Sequence, residues 1–207
     1  MGSPRKIRKK YKGPGHPWQR ERLEQEKVIK KDYGLKNKTE IFRADSKLRR
    51  FNAQAKKLIR DRALPQAKLE EQQLLHKLHT MGLIGENAHL EDVLSLKIND
   101  LLDRRLQTLV HKHNLALTPK QARQFIVHGH ITINNRKVDA PSYIVPRTEE
   151  NTITFNTIST IASEEHPERT KERKRHEALN KTPKEADIKK ELEELKKIEA
   201  VVGVVTE

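Results

Sequence analysis

Three consecutive stretches carry the change of hydrophobic period that decides the fold: RRLQTLVHKHN at residues 104–114, LTPKQARQFIVHGH at 117–130 and ITINNRKVDAPSYIV at 131–145. In the first, Leu102, Leu106, Leu109 and Val110 recur at helical spacing, and the same periodicity assigns Arg105, Thr108 and Lys112 to an exposed, opposite face. The second opens on Thr118 and Pro119, with Gln121 three residues after the threonine. A threonine hydroxyl accepts from free N–H groups of the first turn, proline suits the first helical position, and glutamine completes a capping box. Ala122, Phe125 and Ile126 then form an apolar stripe, Lys120 and Arg123 stand one turn apart, and Gly129 supplies the left-handed residue that ends the helix. From Ile131 the period becomes two: Ile131 and Ile133 point one way, Thr132 and Asn134 the other. Asn134, Asn135 and Arg136 read as a turn, because asparagine tolerates positive φ. Lys137 and Val138 begin a return strand, and Tyr143–Val145 and Ile153–Phe155 read as further short strands. The pattern predicts an α+β fold in which two helices lie against a small twisted sheet.

Working outward, residues 1–17 mix Lys and Arg with Gly13, Pro14, Gly15 and Pro17 and read as a basic extended arm, disordered until it meets a partner. Residues 18–101 read as a mostly helical body. Its apolar contacts are Leu23, Val28, Ile29, Leu35, Ile41, Phe42, Leu48, Phe51, Leu58 and Ile59, followed by Leu69, Leu74, Leu75 and Leu78 on a helix that stops near Gly82. Residues 102–160 are the two-helix and sheet module, and 161–207 a charged helical tail. In that tail Thr182, Pro183 and Glu185 repeat the capping signature, and Ile188, Leu192, Leu195 and Ile198 form one narrow seam.

The charge is unevenly placed. The 207 residues carry a net charge of +14, and residues 1–62 alone hold 21 basic against 7 acidic side chains. Residues 102–147 hold 8 basic and 2 acidic side chains, a second positive patch, whereas residues 63–101 hold 3 and 6. Such a chain attracts polyanions. With 34% hydrophobic and 35% charged residues it can bury one or two small cores, but it is too polar for one large compact domain. No cysteine is present, which excludes disulfides and thiolate metal sites. No apolar run is long enough to span a bilayer, no signal-peptide core follows the basic start, and a soluble cytoplasmic protein is expected.

The run from Ala122 to Asn135, preceded by Arg105-Leu106-Gln107 and followed by Pro141-Ser142-Tyr143, resembles the RNA-binding module named after small-subunit ribosomal protein four. The flanks narrow the resemblance: RKKYK at 8–12, HPW at 16–18, YGLKNK at 33–38 and EDVL at 91–94 are similar to the archaeal and eukaryotic branch of that family. Gln107 stands where the module often has aspartate, Asn135 where it often has glycine, and Arg147-Thr148-Glu149 where a Gly-Asp turn is common. The cysteine cluster that bacterial members often use for zinc is absent. The resemblance implies a structural protein that binds small-subunit ribosomal RNA at a helix junction early in assembly. It further implies support of decoding accuracy, with small-subunit protein five as a neighbour.

Candidate RNA contacts are Arg5, Lys6, Arg8, Lys9, Lys10, Lys12, Trp18, Arg20 and Arg22 in and beside the arm, with Arg49 and Arg50 in the body. In the module they are Arg104, Arg105, Lys112, Lys120, Arg123, Arg136 and Lys137. Arg105 and Arg123 lead, because two adjacent helices with cationic faces are more than ordinary solvated surface. The pairs His111/His113 and His128/His130 lack the i, i+3 or i, i+4 spacing of helical metal ligands, so no metal is expected. No phosphate-cradling glycine loop, serine elbow or other catalytic constellation appears, so neither enzyme activity nor a cofactor is expected, nor a small-molecule substrate. Aromatic residues make up only 4%, so recognition should rest on RNA shape and phosphates rather than stacking on a sheet. Two other readings use the same features: a small non-ribosomal RNA-binding or RNA-modification factor, and a general nucleic-acid compaction protein.

From Glu168 onward 11 basic and 10 acidic side chains nearly cancel, so deleting residues 168–207 should leave affinity for small-subunit RNA within a few fold. A loss beyond about a hundredfold in a filter-binding titration, roughly 2.7 kcal/mol at about 1.4 kcal/mol per decade, would place the tail in the binding site.

Overall fold

Ile41, Ala44, Leu48, Phe51, Ala55 and Leu58 recur at three- and four-residue spacing through an otherwise basic run, and they line the buried face of the longest helix, α2 (Lys38–Arg60). The computed structural model describes residue 9, residues 11–163 and residues 166–167. Before α2 lies α1 (Arg20–Asp32); after it come α3 (Pro65–Thr80) and two one-turn helices, α4 (Leu90–Ser95) and α5 (Ile98–Asp103). All four pack against α2. Leu74 and Leu78 of α3, Leu90 and Val93 of α4, and Leu101 and Leu102 of α5 join the α2 stripe in one apolar cluster. The short helices start cleanly because Asp92 and Asp100 accept the backbone N–H groups of His89 and Lys97.

The module follows as α6 (Leu106–Lys112), α7 (Pro119–Val127), β1 (Ile131–Ile133), β2 (Arg136–Lys137) and β3 (Ile153–Phe155). The strands form an antiparallel sheet in the order β2-β1-β3. The α+β class and the helical N-terminal half expected from sequence are both present. Asn134 (φ 49°) and Asn135 (φ 60°) make the two-residue turn between β1 and β2, the left-handed pair that matches the twist of a hairpin. All three β1 side chains are buried, whereas alternation places Thr132 outside. Its hydroxyl pairs with the carbonyl and hydroxyl of Thr154 on the neighbouring strand, which removes the penalty of burying it.

Four helices end in one geometry. Leu35, Leu83, Leu115 and His130 each donate a backbone N–H to the carbonyl five residues earlier, around left-handed Gly34, Gly82, Asn114 and Gly129. At Gly129 a Cβ would also overlap the stem of Lys137, which lies across it.

The structure departs from the sequence reading in several places. Val28, Ile59 and Leu69 are exposed. Leu69 lies two residues past buried Ala67, hence on the other side of α3 from Leu74 and Leu78. The apolar period from Leu102 to Val110 is also not one helix. Alpha-helix α5 ends at Asp103, Arg105 is extended (φ −74°, ψ 143°), and α6 begins only at Leu106. Arg105 bridges Ile144 in antiparallel fashion, with Leu106 N–H donating to Tyr143 and Val145 N–H to Arg104. The residues expected as a strand at 143–145 thus pair with this break. The described residues up to Thr157 form a single compact unit, larger than composition led one to expect, because ion pairs and hydrogen bonds let polar side chains such as Glu26 and Gln107 be buried. The described part of the following unit holds a short 3-10 turn, Thr160–Ala162, capped by Ser159. The tail helix expected around 182–198 lies outside the described residues. No helix among the described residues is long and apolar enough to cross a membrane.

Leu78 is fully buried at the centre of the apolar cluster. Leu78→Ala should lower unfolding free energy by about 2–5 kcal/mol through lost burial and the residual cavity. Urea denaturation should show this as a lower midpoint at an unchanged slope.

Candidate nucleic-acid interface

The cationic surface is organised around one acid. Glu40 stands in the first turn of α2, and its carboxylate accepts from Arg105 Nη2 at 2.6 Å and Arg123 Nη2 at 3.0 Å, with Arg123 Nη1 at 3.3 Å. Burial of Glu40 works to raise its pKa, but the hydrogen bonds and charges of the two arginines outweigh it and hold the carboxyl below its ordinary value. Arg123 Nη1 also reaches Oε1 of Gln107 at 3.3 Å. Gln107 itself is 1% exposed, and its Nε2 donates to the carbonyls of Tyr33, Gly34 and Pro119 at 3.0, 3.1 and 2.8 Å. The network therefore ties the end of α1, the start of α2, α6 and α7 together. Gly34 makes room for it: a Cβ there would come within 2.9 Å of Pro119 Cβ and 3.1 Å of Gln107 Nε2.

This corrects the expected placement of the two leading arginines. Arg105 is 5% exposed, not on an open helix face, because the chain break at 104–105 turns it toward α2. Arg123 is half-buried over the same carboxylate. Arg104 is likewise enclosed, donating to the carbonyls of Met81 and Val145 and to Glu150 at 2.7 Å. Beside them the Tyr33 hydroxyl donates to Asp103; burial, then that hydrogen bond, pushes its pKa up to about 12.

Other sequence candidates do face outward. Lys120, Arg136 and Lys137 are exposed on α7 and the hairpin, and Lys112 is exposed with its ammonium 3.4 Å from Asp103. Thr118 caps α7 as expected by accepting from Gln121 N–H, but Gln121 reaches back to Leu117 N–H, one residue beyond a standard capping box. In the arm, the described residues from Tyr11 have neither helix nor strand, yet they lie on α2: Tyr11 stacks on Phe42 and Lys12 N–H donates to Ser46. Arg22 holds the carbonyls of His16 and Pro17 and pairs with buried Glu26. Trp18 is 90% exposed; Lys9, Lys12, Arg20, Arg49 and Arg50 are exposed, with Arg20 and Arg49 in one-turn pairs with Glu24 and Asp45. Arg5, Lys6, Arg8 and Lys10 lie outside the described residues. His128 and His130 stack at 6.2 Å, and no group of three or more potential metal ligands occurs among the described residues.

The S4 domain family matches residues 104–151, beginning on the chain break that buries Arg105. Over longer stretches the chain is similar to small ribosomal subunit protein uS4 of Methanococcus aeolicus, 52% identical across 82% of this chain and 96% of the relative. The same protein of Picrophilus torridus is 48% identical across 81% and 92%, and that of Nanoarchaeum equitans 49% identical across 81% and 93%. The chain belongs to the uS4 family. Membership covers the module and most of the helical body. At position 107 a carboxylate would accept hydrogen bonds but could not donate to the carbonyls that Gln107 Nε2 reaches.

Sequence reasoning missed Glu40 and Gly34, and it marked Gln107 only as a difference from the module's common pattern, without its role. Glu40 was detectable in part: it precedes buried Ile41 and lies one turn from buried Ala44, so it sits beside the packed face of α2.

Two outcomes test the clamp. A carboxyl whose folded pKa is below its unfolded value of about 4.5 stabilises the fold fully above pH 4.5 and loses that contribution as pH falls through the lower folded value. Glu40→Gln should therefore cost about 3 kcal/mol or more at pH 7, where it leaves Arg105 buried without its counter-charge. That deficit should shrink below pH 4.5, measured as the difference between two urea midpoints. Separately, Gln107→Glu sets a carboxylate against the three carbonyls and should destabilise by about 3–5 kcal/mol across neutral pH.

Proposed function

We propose that this chain is a structural, non-enzymatic component of the small ribosomal subunit that binds the subunit's RNA, acting in the cytoplasm where ribosomes act. Membership of the uS4 family supports the role, and one structural observation carries the binding mode: exposed Lys120, Arg136 and Lys137 sit on a module whose shape is locked from below by Glu40, Arg105, Arg123 and Gln107. Phosphates need cations presented at fixed spacing, and a locked scaffold provides that spacing without ordering cost at the moment of binding. Lys112, Arg49 and Arg50 extend the cationic surface. Arm residues Arg5, Lys6, Arg8, Lys9, Lys10 and Lys12, with Arg20 behind them, track a neighbouring strand, Arg22 holds the arm's base from inside, and exposed Trp18 stacks on a base. Arg104 is kept to scaffolding by its three internal partners, and Arg105 and Arg123 meet RNA only from their clamped positions.

In finer terms, the protein holds a junction where several RNA helices converge, joins early in assembly of the subunit body, sits beside small-subunit protein five and contributes to decoding accuracy. In this proposal the chain divides by role into arm 1–17, helical body 18–101, module 102–160 and charged tail 161–207; the concentration of net charge in the first third and in residues 102–147 supports it.

Gel-shift titrations against a small-subunit junction RNA, an unrelated RNA hairpin and duplex DNA test the reading. The junction should bind tightest. The triple variant Lys120→Glu/Arg136→Glu/Lys137→Glu should lose at least tenfold in affinity and about two units of salt slope, at about 0.7–0.9 per phosphate, with an unchanged circular dichroism spectrum. Equal affinity for duplex DNA would favour the compaction reading instead.

A further inference from the structure

Glu40 also forms part of a cleft of about 330 Å3 between α2 and the segment around Ser142. Its lining includes Arg43, Lys47, Arg105 and Arg123, so four cations surround one carboxylate, with Ser142 on the facing segment. The internal partners do not exhaust these donors. The Arg105 side chain is 6% exposed, and its Nε is buried without a hydrogen-bond partner. Lys47 is half-buried with its ammonium over the Phe51 ring, and burial together with the nearby Lys77 charge lowers its pKa. Neither Arg43 nor Lys47 forms an ion pair among the described residues. Arg43 is exposed at the mouth, but Arg105 is buried and Lys47 and Arg123 are partly so; desolvated cations without enough negative charge are unfavourable, and an anion in the cleft relieves them.

We propose that this cleft is a phosphate seat, filled by one backbone phosphate of the RNA that the protein binds. A phosphodiester accepts hydrogen bonds from several directions at once, which suits three guanidinium groups and an ammonium arranged around one opening. Glu40 does not oppose this. Its hydrogen bonds fix the planes of Arg105 and Arg123 and cancel one of the four charges, so three remain for the ligand. Arg123 stands one turn after exposed Lys120 on α7, so a strand seated here continues onto the module's outer surface. The inference rests on the RNA-binding reading and adds to it a discrete site on the helical body's side of the module.

The test uses the full chain and the double variant Arg43→Gln/Lys47→Met, with Lys56→Gln/Lys57→Gln, exposed farther along α2, as a charge-matched control. Calorimetric titration with inorganic phosphate at constant ionic strength should show saturable one-to-one binding in the wild type and the control, lost in the double variant. Against junction RNA the double variant should lose at least tenfold in affinity and about one unit of salt slope, at about 0.7–0.9 per phosphate, and the control should lose less. Phosphate binding with no effect of the double variant on RNA would mean a free-anion site and overturn the proposal. Equal losses in variant and control would reduce the cleft to general electrostatics. Competition by a polyglutamate peptide but not by phosphate would assign the cleft to an acidic protein segment. If the wild type itself fails to distinguish junction RNA from an unrelated hairpin, the functional reading falls, a result separate from failure of the seat alone.

Discussion

The carboxylate of Glu40 is the constraint on which the interface depends. It is a negative charge in a first third that is strongly positive, and it bridges an arginine from the chain break before α6 to another from α7. Removing two guanidinium groups from water is costly, and the attraction to a shared carboxylate repays that only with close geometry and further hydrogen bonds. Gln107 supplies those bonds by receiving from Arg123 and donating to three carbonyls from two other parts of the chain. The same logic recurs between α1 and α2, where buried Glu26 lies 2.9 Å from the Lys38 ammonium and 3.5 Å from Arg22. Glu26 and Glu40 thus serve internal joints, whereas Glu24 and Asp45 pair with exposed Arg20 and Arg49 at the surface.

The basic residues consequently divide by chemistry as well as by place. Around the module, the enclosed cations are arginines: Arg104 and Arg123 each use a planar fork to reach several acceptors, and Arg105 reaches the Glu40 carboxylate alone. Lys112, Lys120 and Lys137 remain at the surface, where a strongly hydrated ammonium loses little. Lys137 illustrates a further economy, since its aliphatic stem lies across Gly129 and covers the helix end while the residue stays exposed. A surface built in this way presents charge at spacings set by the packed arginines beneath it. Substituting an inner arginine and an outer lysine therefore perturbs different things, the first the shape of the interface and the second its charge.

Much of the module was readable from residue order. The Thr118 cap, the Gly129 stop and the Asn134-Asn135 turn depend on interactions a few residues apart, so composition and spacing were sufficient to place them. The β1–β2 hairpin was readable for the same reason, whereas β1 also pairs with distant β3, Ile131 against Phe155, and residues 143–145 pair with the chain break instead. The apolar period from Leu102 to Val110 was misleading, because a break of two residues can leave hydrophobic spacing nearly intact while it reverses where the intervening side chain points. Arg105 was thereby assigned to a solvated face, although its partner lies 65 residues away in the chain. Exposure of Leu69 and burial of Thr132 were missed on similar grounds, since each depends on what packs across from it rather than on its own neighbours.

The sequence by itself determined the element order, the turn chemistry, the concentration of positive charge and the family resemblance, all of which follow from local residue pattern and overall composition. Only the tertiary structure decided which cations are available. Glu40, Gln107 and three backbone carbonyls come from separate segments, and their joint hold on Arg105 and Arg123 exists only once those segments pack. Desolvation and hydrogen-bond geometry, not residue type, separate a structural arginine from one free to meet a phosphate.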